Sequence, residues 1–321
     1  MRILITGGGG FLGAAVSDAL VARGDTVLAF DTQFAVNSGA TSQQRTPGQC
    51  IHIVGDITDM AALVQAVLAH KPDAVIHCAA IVGVLQSIGN PINMVRINVE
   101  GSINVFEAMR VGNVKRCIHI SSEEAYGAFQ TDRIDESHPL NPVLPYGICK
   151  AAVEQFGRSY RELHGLDVIN LRTSWVYGPG LPRDRIPRNL VIAALEGRAL
   201  HIPSGADTAI DHTYVDDWVT AILAALDHPR HRHDAYNIGS GNAVTVAALA
   251  EIVSELVPGA QLSVGPGKYR HGNVVELVEK GAFDISRAET EFGWKPKYDI
   301  RSGLAAYIDA MRAQRKASKR V

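Results

Sequence analysis

The stretch that most limits what this chain can become is TGGGGFLG, Thr6 to Gly13, set between the apolar run RILIT and the helical pattern GFLGAAVSDALVARG. A strand that runs into a turn without side chains and then a helix gathers unpaired backbone N–H groups at one point. The positive end of the helix dipole lies there too, so the arrangement cradles a pyrophosphate. Two spacings overlap in it. Gly8, Gly10 and Gly13 satisfy G-x-G-x-x-G, while Gly7, Gly10 and Gly13 satisfy G-x-x-G-x-x-G. The next apolar run, TVLAFD, closes on Asp31, 18 residues after Gly13. A carboxylate there accepts bonds from an adenosine ribose and repels a 2′-phosphate. Thr32 and Gln33 follow, with no arginine beside them, so NAD is expected rather than NADP.

The alternation continues along the chain. RILIT, TVLAFD, CIHIVGDI, DAVIHCAA, RCIHISS and DVINLRTS read as short, doubly buried strands. Between them lie helical patterns, among them TDMAALVQAVLAHK, capped by Thr58 or Asp59, the long PINMVRINVEGSINVFEAMRVG, and YGICKAAVEQFGRSYRELHG. The expected fold class is therefore α/β, a Rossmann-type doubly wound parallel sheet. After Ser174 the rhythm loosens into VYGPGLPRDRIPRN. Residues 1–173 are expected to form the NAD-binding domain and 174–321 mainly a smaller C-terminal substrate domain, with segments within 211–240 returning to the first.

Composition narrows the function classes. A formal net charge of −2 over 321 residues argues against general nucleic-acid or membrane attraction. Cys50, Cys78, Cys117 and Cys149 are scattered, without a C-x-x-C pair, and read as reduced thiols of a cytoplasmic protein. MRILIT is too short for a signal-peptide core, and no apolar run reaches the ~20 residues that cross a bilayer. RAQRKASKRV at the C-terminus reads as a frayed, solvated tail, and HPRHRH (228–233) as a solvated loop rather than a metal site. Asp216 and Asp217 open a helix and read as its cap.

Chemistry enters with YGICK. Tyr146 and Lys150 are four apart in a helical stretch and share a face. A neighbouring ammonium favours the phenolate, so this tyrosine is a candidate to take a proton from a substrate hydroxyl while hydride leaves the same carbon. Ser122, on the turn after the fifth strand, is a candidate to hold that hydroxyl in line.

With these residues in view the chain resembles the extended short-chain dehydrogenase/reductase family, the NAD-dependent sugar epimerases and dehydratases. TGGGGFLG resembles T-G-x-x-G-F-x-G, which selects Gly7, Gly10 and Gly13 and brings Phe11 and Leu12 to the cofactor. GDITD resembles the family's adenine-contacting segment and implies Asp56 and Ile57. HCAA resembles H-x-A-A and implies Ala79 and Ala80. INVEGSINVFEAM resembles N-V-x-G-T-x-N-L-L-E-A and implies Asn98. SSEEAYG resembles S-S-x-x-V-Y-G, Tyr146 and Lys150 match Y-x-x-x-K, and FDISRAETEFGWKP resembles the C-terminal D-x-S-K-A-x-x-x-L-G-W-x-P. Thr173, closing the sixth strand, joins the cofactor set. The resemblance implies a sugar or nucleotide-sugar substrate and a homodimer formed through helices near 92–110 and 146–163.

The chain also departs from the family pattern. L-R-x-x-N-V-Y-G-P, whose asparagine helps hold a diphosphate, reads LRTSWVYGP, so Trp175 stands in that place. R-D-F/Y-x-x-V-x-D reads IDHTYVDD, with Ile210 for the arginine. The arginine of R-P-G-D survives as Arg270 in YRHGN. Either the nucleotide is held differently or the substrate lacks a diphosphate. Glu123 and Glu124 stand where related dehydratases carry acidic catalytic residues. Neighbours on an extended stretch point to opposite sides, so one of them at most is expected to face the nicotinamide; the alternative is a capping or solvent-facing role. Three function classes remain: an epimerase or dehydratase that retains NAD, a plain dehydrogenase of a free sugar or sugar acid that releases NADH, and a non-catalytic NAD sensor.

Overall fold

The computed structural model describes residues 1–34, 48–182, 184–272 and 274–318. The first half runs β1 (Arg2–Thr6), α1 (Phe11–Ala22), β2 (Thr26–Asp31), β3 (Cys50–Val54), α2 (Met60–His70), β4 (Ala74–His77), α3 (Val84–Gly89), α4 (Pro91–Val95), α5 (Gly101–Val111) and β5 (Arg116–Ser122). It continues through the two-residue β6 (Arg133–Ile134), α6 (Pro145–His164), β7 (Asp167–Thr173), β8 (Trp175–Tyr177), α7 (Ile186–Glu196) and β9 (Leu200–Ile202). Then follow β10 (Ala209–Tyr214), α8 (Val215–Asp227), β11 (Ala235–Ile238), β12 (Ala243–Thr245) and α9 (Val246–Leu256), with short strands and two further helices, Ser286–Phe292 and Ile300–Ser318, closing the chain.

Seven strands form one sheet in the order β11-β7-β5-β4-β1-β2-β3, every pairing parallel. The order reverses between β1 and β4, so a crevice opens there beyond the carboxyl ends of the strands. β1 shows why its apolar residues run without alternation. Ile3 and Ile5 pack on one face with Val16 and Leu20 of α1 and Trp218 and Ile222 of α8. Leu4 packs on the other with Leu63 and Val67 of α2, Phe106 and Met109 of α5, and Val153 of α6. Each such side chain contributes about 1.5–3 kcal/mol on full burial, so β1 belongs in the middle of the sheet. β11 lies beyond residue 173 yet pairs with β7, Tyr236 opposite Leu171.

Beside this sheet, β8, β10 and β12 form a three-stranded sheet. Trp175, Tyr177 and Ile210 from it share a core with Leu190 and Val191 of α7, Leu249 and Val253 of α9, and Leu304 and Tyr307 of the last helix.

Four local readings need correction. The long helix expected from Pro91 is divided: α4 and α5 are separated by a π-helical stretch, Arg96–Glu100, an extra-residue widening of the helix that recurs at functional sites. The basic C-terminus is not a frayed tail through 318, because the last helix continues there and Arg315 donates to Leu195 O at 2.9 Å; residues 319–321 lie outside the described residues. His231 is not solvated. It is buried, with Nδ1 3.0 Å from Asp167 Oδ2 and Nε2 2.9 Å from Ala225 O. Asp217 does not cap α8; from the first turn its carboxylate accepts the N–H groups of Lys297 (2.7 Å) and Tyr298 (3.1 Å). α2 is capped by Asp59, which accepts from Ala62 N at 3.1 Å.

Candidate active site

At the sheet's switch point lies a cleft of about 450 Å³ whose walls come from both sheets. The glycine turn forms one end. Gly7 has φ +73°, a conformation L side chains rarely adopt, and a Cβ on Gly13 would fall 2.1 Å from Gly7 O. The turn and the first turn of α1 can therefore touch only as backbone. Gly10 precedes α1 with no side-chain cap, leaving the helix's first N–H groups to a ligand. Phe11, Leu12 and Gly13 line the cleft with Gly7 and Gly10.

Asp31, at the tip of β2, also lines it, and its Oδ2 accepts Gly9 N at 2.9 Å. This bond fixes the carboxylate beside the turn, where a ribose would meet it. Asp56 and Ile57 follow on the same wall, Asp56 oriented by Thr58 N at 2.8 Å, and Ala79 and Ala80 form the floor. A strand-turn-helix cradle of backbone donors with an acid at the next strand's tip fits an adenine dinucleotide.

Asn98 stands back from the cleft wall. Its Oδ1 accepts Ile81 N and its Nδ2 donates to Ile81 O, both at 2.8 Å, so it clamps the segment that lines the cleft. It does so from within the π-helical stretch. Its own carbonyl accepts from Ser102 Oγ at 2.6 Å, and that hydroxyl lies 2.8 Å from His77 Nε2. Since Ser102 spends its proton on Asn98 O, His77 Nε2 donates to it and Nδ1 accepts from Thr6 Oγ1 at 2.6 Å. Burial pushes His77 down to about 3, which keeps the ring neutral and this link between β1, β4 and the helix intact.

Tyr146, Lys150, Ser122 and Thr173 meet on the cleft's middle wall. Tyr146 and Lys150 sit one turn apart on α6, the ammonium 6.0 Å from the phenol ring's centre. Lys150 Nζ donates to Ile120 O at 2.6 Å. Burial lowers Lys150 to about 8, with Cys78 and Glu154 pulling the other way, so the lysine remains a cation at neutral pH. Gly147 lets α6 lie directly on the turn after β5, since a Cβ there would fall 2.2 Å from Glu124 O. Ser122 Oγ accepts Glu124 N at 3.2 Å and caps that turn.

The acidic pair differs from expectation. Glu123–Ala125 is a 3₁₀ turn rather than extended chain, and both Glu123 and Glu124 are buried and line the cleft. Between them sits Lys280, its side chain fully buried, 3.6 Å from Glu123 Oε1 and 3.5 Å from Glu124 Oε1. Trp175 Nε1 donates to Glu123 Oε1 at 2.8 Å, while Glu123 Oε2 is buried with no partner. Burial raises Glu123 to about 7 against the attraction of Lys280, and Glu124 adds to the rise.

Arg270 does not reach this wall. It is exposed, donates to Val274 O at 3.0 Å and lies 3.9 Å from Glu276. Its neighbour His271 lines the cleft instead, with His212 and Arg185. Ile210 is fully buried in the β8–β10–β12 core. Sequence reading singled out none of Lys280, Arg185, His212 and His271. Among the described residues no helix is long and apolar enough to cross a membrane, and no group of His, Cys, Asp and Glu is placed to hold a metal.

The family model described as the NAD dependent epimerase/dehydratase family matches residues 3–239. A dTDP-glucose 4,6-dehydratase of Xanthomonas campestris is 30% identical over 95% of this chain and 92% of its own length. A putative UDP-glucose 4-epimerase of Methanocaldococcus jannaschii is also 30% identical, over 97% and 98% of the two chains. The structure is similar to that of UDP-glucose 4-epimerase from Thermotoga maritima with UDP-glucose, at TM-score 0.86, 28% identity and coverage of 98% and 99%. It is equally similar, at TM-score 0.86 and 28% identity over 98% and 100% of the chains, to MoeE5 in complex with UDP-glucuronic acid and NAD. The chain belongs to the NAD-dependent epimerase/dehydratase family, enzymes of the extended short-chain dehydrogenase/reductase kind with NAD as cofactor.

Proposed function

We propose that the enzyme oxidises a hydroxyl-bearing carbon of a sugar or nucleotide sugar and re-reduces the resulting ketone within one catalytic cycle, after epimerisation or elimination. The observation that carries this reading is the convergence of Ser122, Tyr146, Lys150 and the Glu123–Glu124 pair on the cleft that begins at the glycine turn. Tyr146 takes the proton of the substrate hydroxyl. Lys150 stabilises the phenolate that accepts this proton, and Ser122 Oγ holds the hydroxyl in line. NAD bound in this cleft supplies the hydride acceptor for the same carbon. One of Glu123 and Glu124 then removes the proton that the transient ketone has acidified on the neighbouring carbon, and in an elimination the other protonates the departing hydroxyl, which leaves as water. A carboxyl held at about 7 both takes and returns a proton at neutral pH, which suits Glu123 to that exchange.

The named ligands of similar structures, UDP-glucose and UDP-glucuronic acid, support a nucleotide-sugar substrate. A second reading, net oxidation of a free sugar or sugar acid, is favoured by Trp175, buried Ile210 and outward Arg270 at the positions of the family's diphosphate-holding residues. In either case residues 1–173, with the part of 211–240 that joins the sheet, hold the cofactor, and the rest of 174–321 holds the substrate. Incubation with sugars and nucleotide sugars separates the two: accumulation of reduced nicotinamide identifies net oxidation, and product without it identifies the closed cycle. Tyr146→Phe is expected to lower kcat by about 10²- to 10⁴-fold with NAD affinity retained; unchanged turnover would overturn the assignment.

The protein is a cytoplasmic homodimer in this reading. Ile92 (82% exposed), Val95, Ile148, Phe156 and Leu163 (73%) leave apolar surface on α4 and α6, which pack against each other, and the cysteines are free. Light scattering of the wild type and of Ile92→Glu tests the assembly.

A further inference from the structure

Four positions in and just behind the wall at the substrate end of the cleft depart together from the family pattern. Where that pattern has asparagine, arginine, an aromatic residue and proline, this chain has Trp175, Ile210, His212 and His271. The fold gathers them. His212 lies opposite Trp175 in the β8–β10 pairing, with ring centres 5.8 Å apart, and the His271 ring is 5.9 Å from the same indole. The Arg185 guanidinium rests 4.7 Å over the Trp175 ring.

Besides buried His271 Nε2, two polar groups here have no hydrogen-bond or ion-pair partner among the described residues. His212 Nδ1 is 2.9 Å from Ile210 O, and since a carbonyl only accepts, Nδ1 carries the ring's proton. Burial lowers this histidine to about 4, so the ring is neutral and Nε2 is a bare acceptor. That Nε2 has no partner although His212 is only 3% exposed and lines the cleft. An acceptor enclosed in this way calls for a donor brought by the ligand, and a sugar hydroxyl is one.

Arg185 is the second. The other cations at the cleft are committed: Lys150 bonds Ile120 O below Tyr146, and Lys280 is sealed between two glutamates. Arg185 has no carboxylate within ion-pair distance among the described residues, and its guanidinium rests over the indole, a contact that occupies none of its N–H donors. A guanidinium that lines the cleft with its donors uncommitted offers its fork to a phosphate or carboxylate.

We infer that Arg185 and His212, backed by Trp175, form a substrate subsite for a hydroxylated anionic group. Arg185 grips a phosphate or carboxylate oxygen, and His212 Nε2 accepts the hydrogen of a neighbouring hydroxyl. The subsite does from α7 and β10 what the pattern's two arginines do elsewhere, and it rests on the reading of the substrate as a sugar.

The test is calorimetric titration of the NAD-loaded full chain with glucose, glucose 1-phosphate, glucuronate, UDP-glucose and inorganic phosphate. At least one anionic sugar is expected to bind more tightly than glucose, and which one does so separates phosphate from carboxylate. Arg185→Met is expected to weaken it by about 10- to 100-fold, and Arg185→Lys by less. His212→Phe, which keeps a ring in place, is expected to weaken the anionic sugar several-fold and leave inorganic phosphate unchanged. NAD affinity and melting temperature, measured on each variant, report whether the fold is kept. The proposal is overturned if Arg185→Met binds the anionic sugar as the wild type does, or if the wild type prefers no anion to glucose. Failure of the hydride-transfer reading shows separately, as anion binding that persists without Tyr146-dependent turnover.

Discussion

At the Gly7–Gly13 end of the cleft a ligand meets backbone; at the Glu123–Trp175 end it meets buried side chains. The first end is made of the uncapped N–H groups that open α1 and of glycines packed so closely that a Cβ has no place. Asp31, one of its two carboxylates, is pinned by Gly9 N. The second holds Glu123, Glu124 and Lys280 nearly free of solvent, with unpaired atoms on Glu123 and His212. Backbone recognition suits a cofactor whose pyrophosphate is always the same. Charged and unsatisfied side chains cost stability, and they persist where a changing substrate must be read and protons moved.

Three experiments sharpen that contrast. The largest effect is expected for Lys280→Met, which strands two buried carboxyl groups: unfolding in urea is expected to reveal a loss of about 3 kcal/mol at pH 8, and a smaller one at pH 5, where Glu123 is protonated. An equal loss at both values would mean that Lys280 acts through packing rather than charge. Next comes Gly13→Ala at the other end, expected to cost about 2 kcal/mol by overpacking against Gly7 O and to weaken NAD binding. Its loss is expected to be the same at pH 5 and pH 8, since no ionisable group is touched.

The smallest effect is a slope. Glu123 is raised from 4.5 to about 7, so between those values the folded protein keeps a proton that the unfolded chain has released. Its contribution to stability therefore falls as pH rises through that window. Buried His77 and His212, lowered to about 3 and 4, act oppositely below 6.5, which makes the difference between variants more telling than the wild-type curve. Glu123→Gln is expected to gain on the wild type steadily as pH rises from 5 to 8. Parallel curves would remove Glu123 from the titrating groups.

The same contrast explains what the sequence discloses. The glycine turn, Asp31 and the Tyr146–Lys150 pair are local: strand, turn and helix follow one another, and a spacing of four settles a shared face. The turn at Glu123 misled because extended chain was assumed where Ser122 caps a 3₁₀ turn, which brings both acids to the cleft. Lys280 and Arg185 come from segments whose meeting depends on tertiary packing, and neither lies in a telling pattern. His212 did leave a trace, as a histidine in the aromatic slot of R-D-F/Y-x-x-V-x-D. The break between α4 and α5 had no trace, because a π-helical widening changes no apolar period strongly enough to be read.

The strand Ala235–Ile238 and the helix before it carry a last consequence. A fragment ending at 173 would leave β7 as a bare, adhesive edge and strip Trp218 and Ile222 from the face of β1. No single cut releases a self-sufficient nucleotide-binding half. Grafting a different specificity unit onto this scaffold takes at least two crossovers, one on either side of the returning helix and strand.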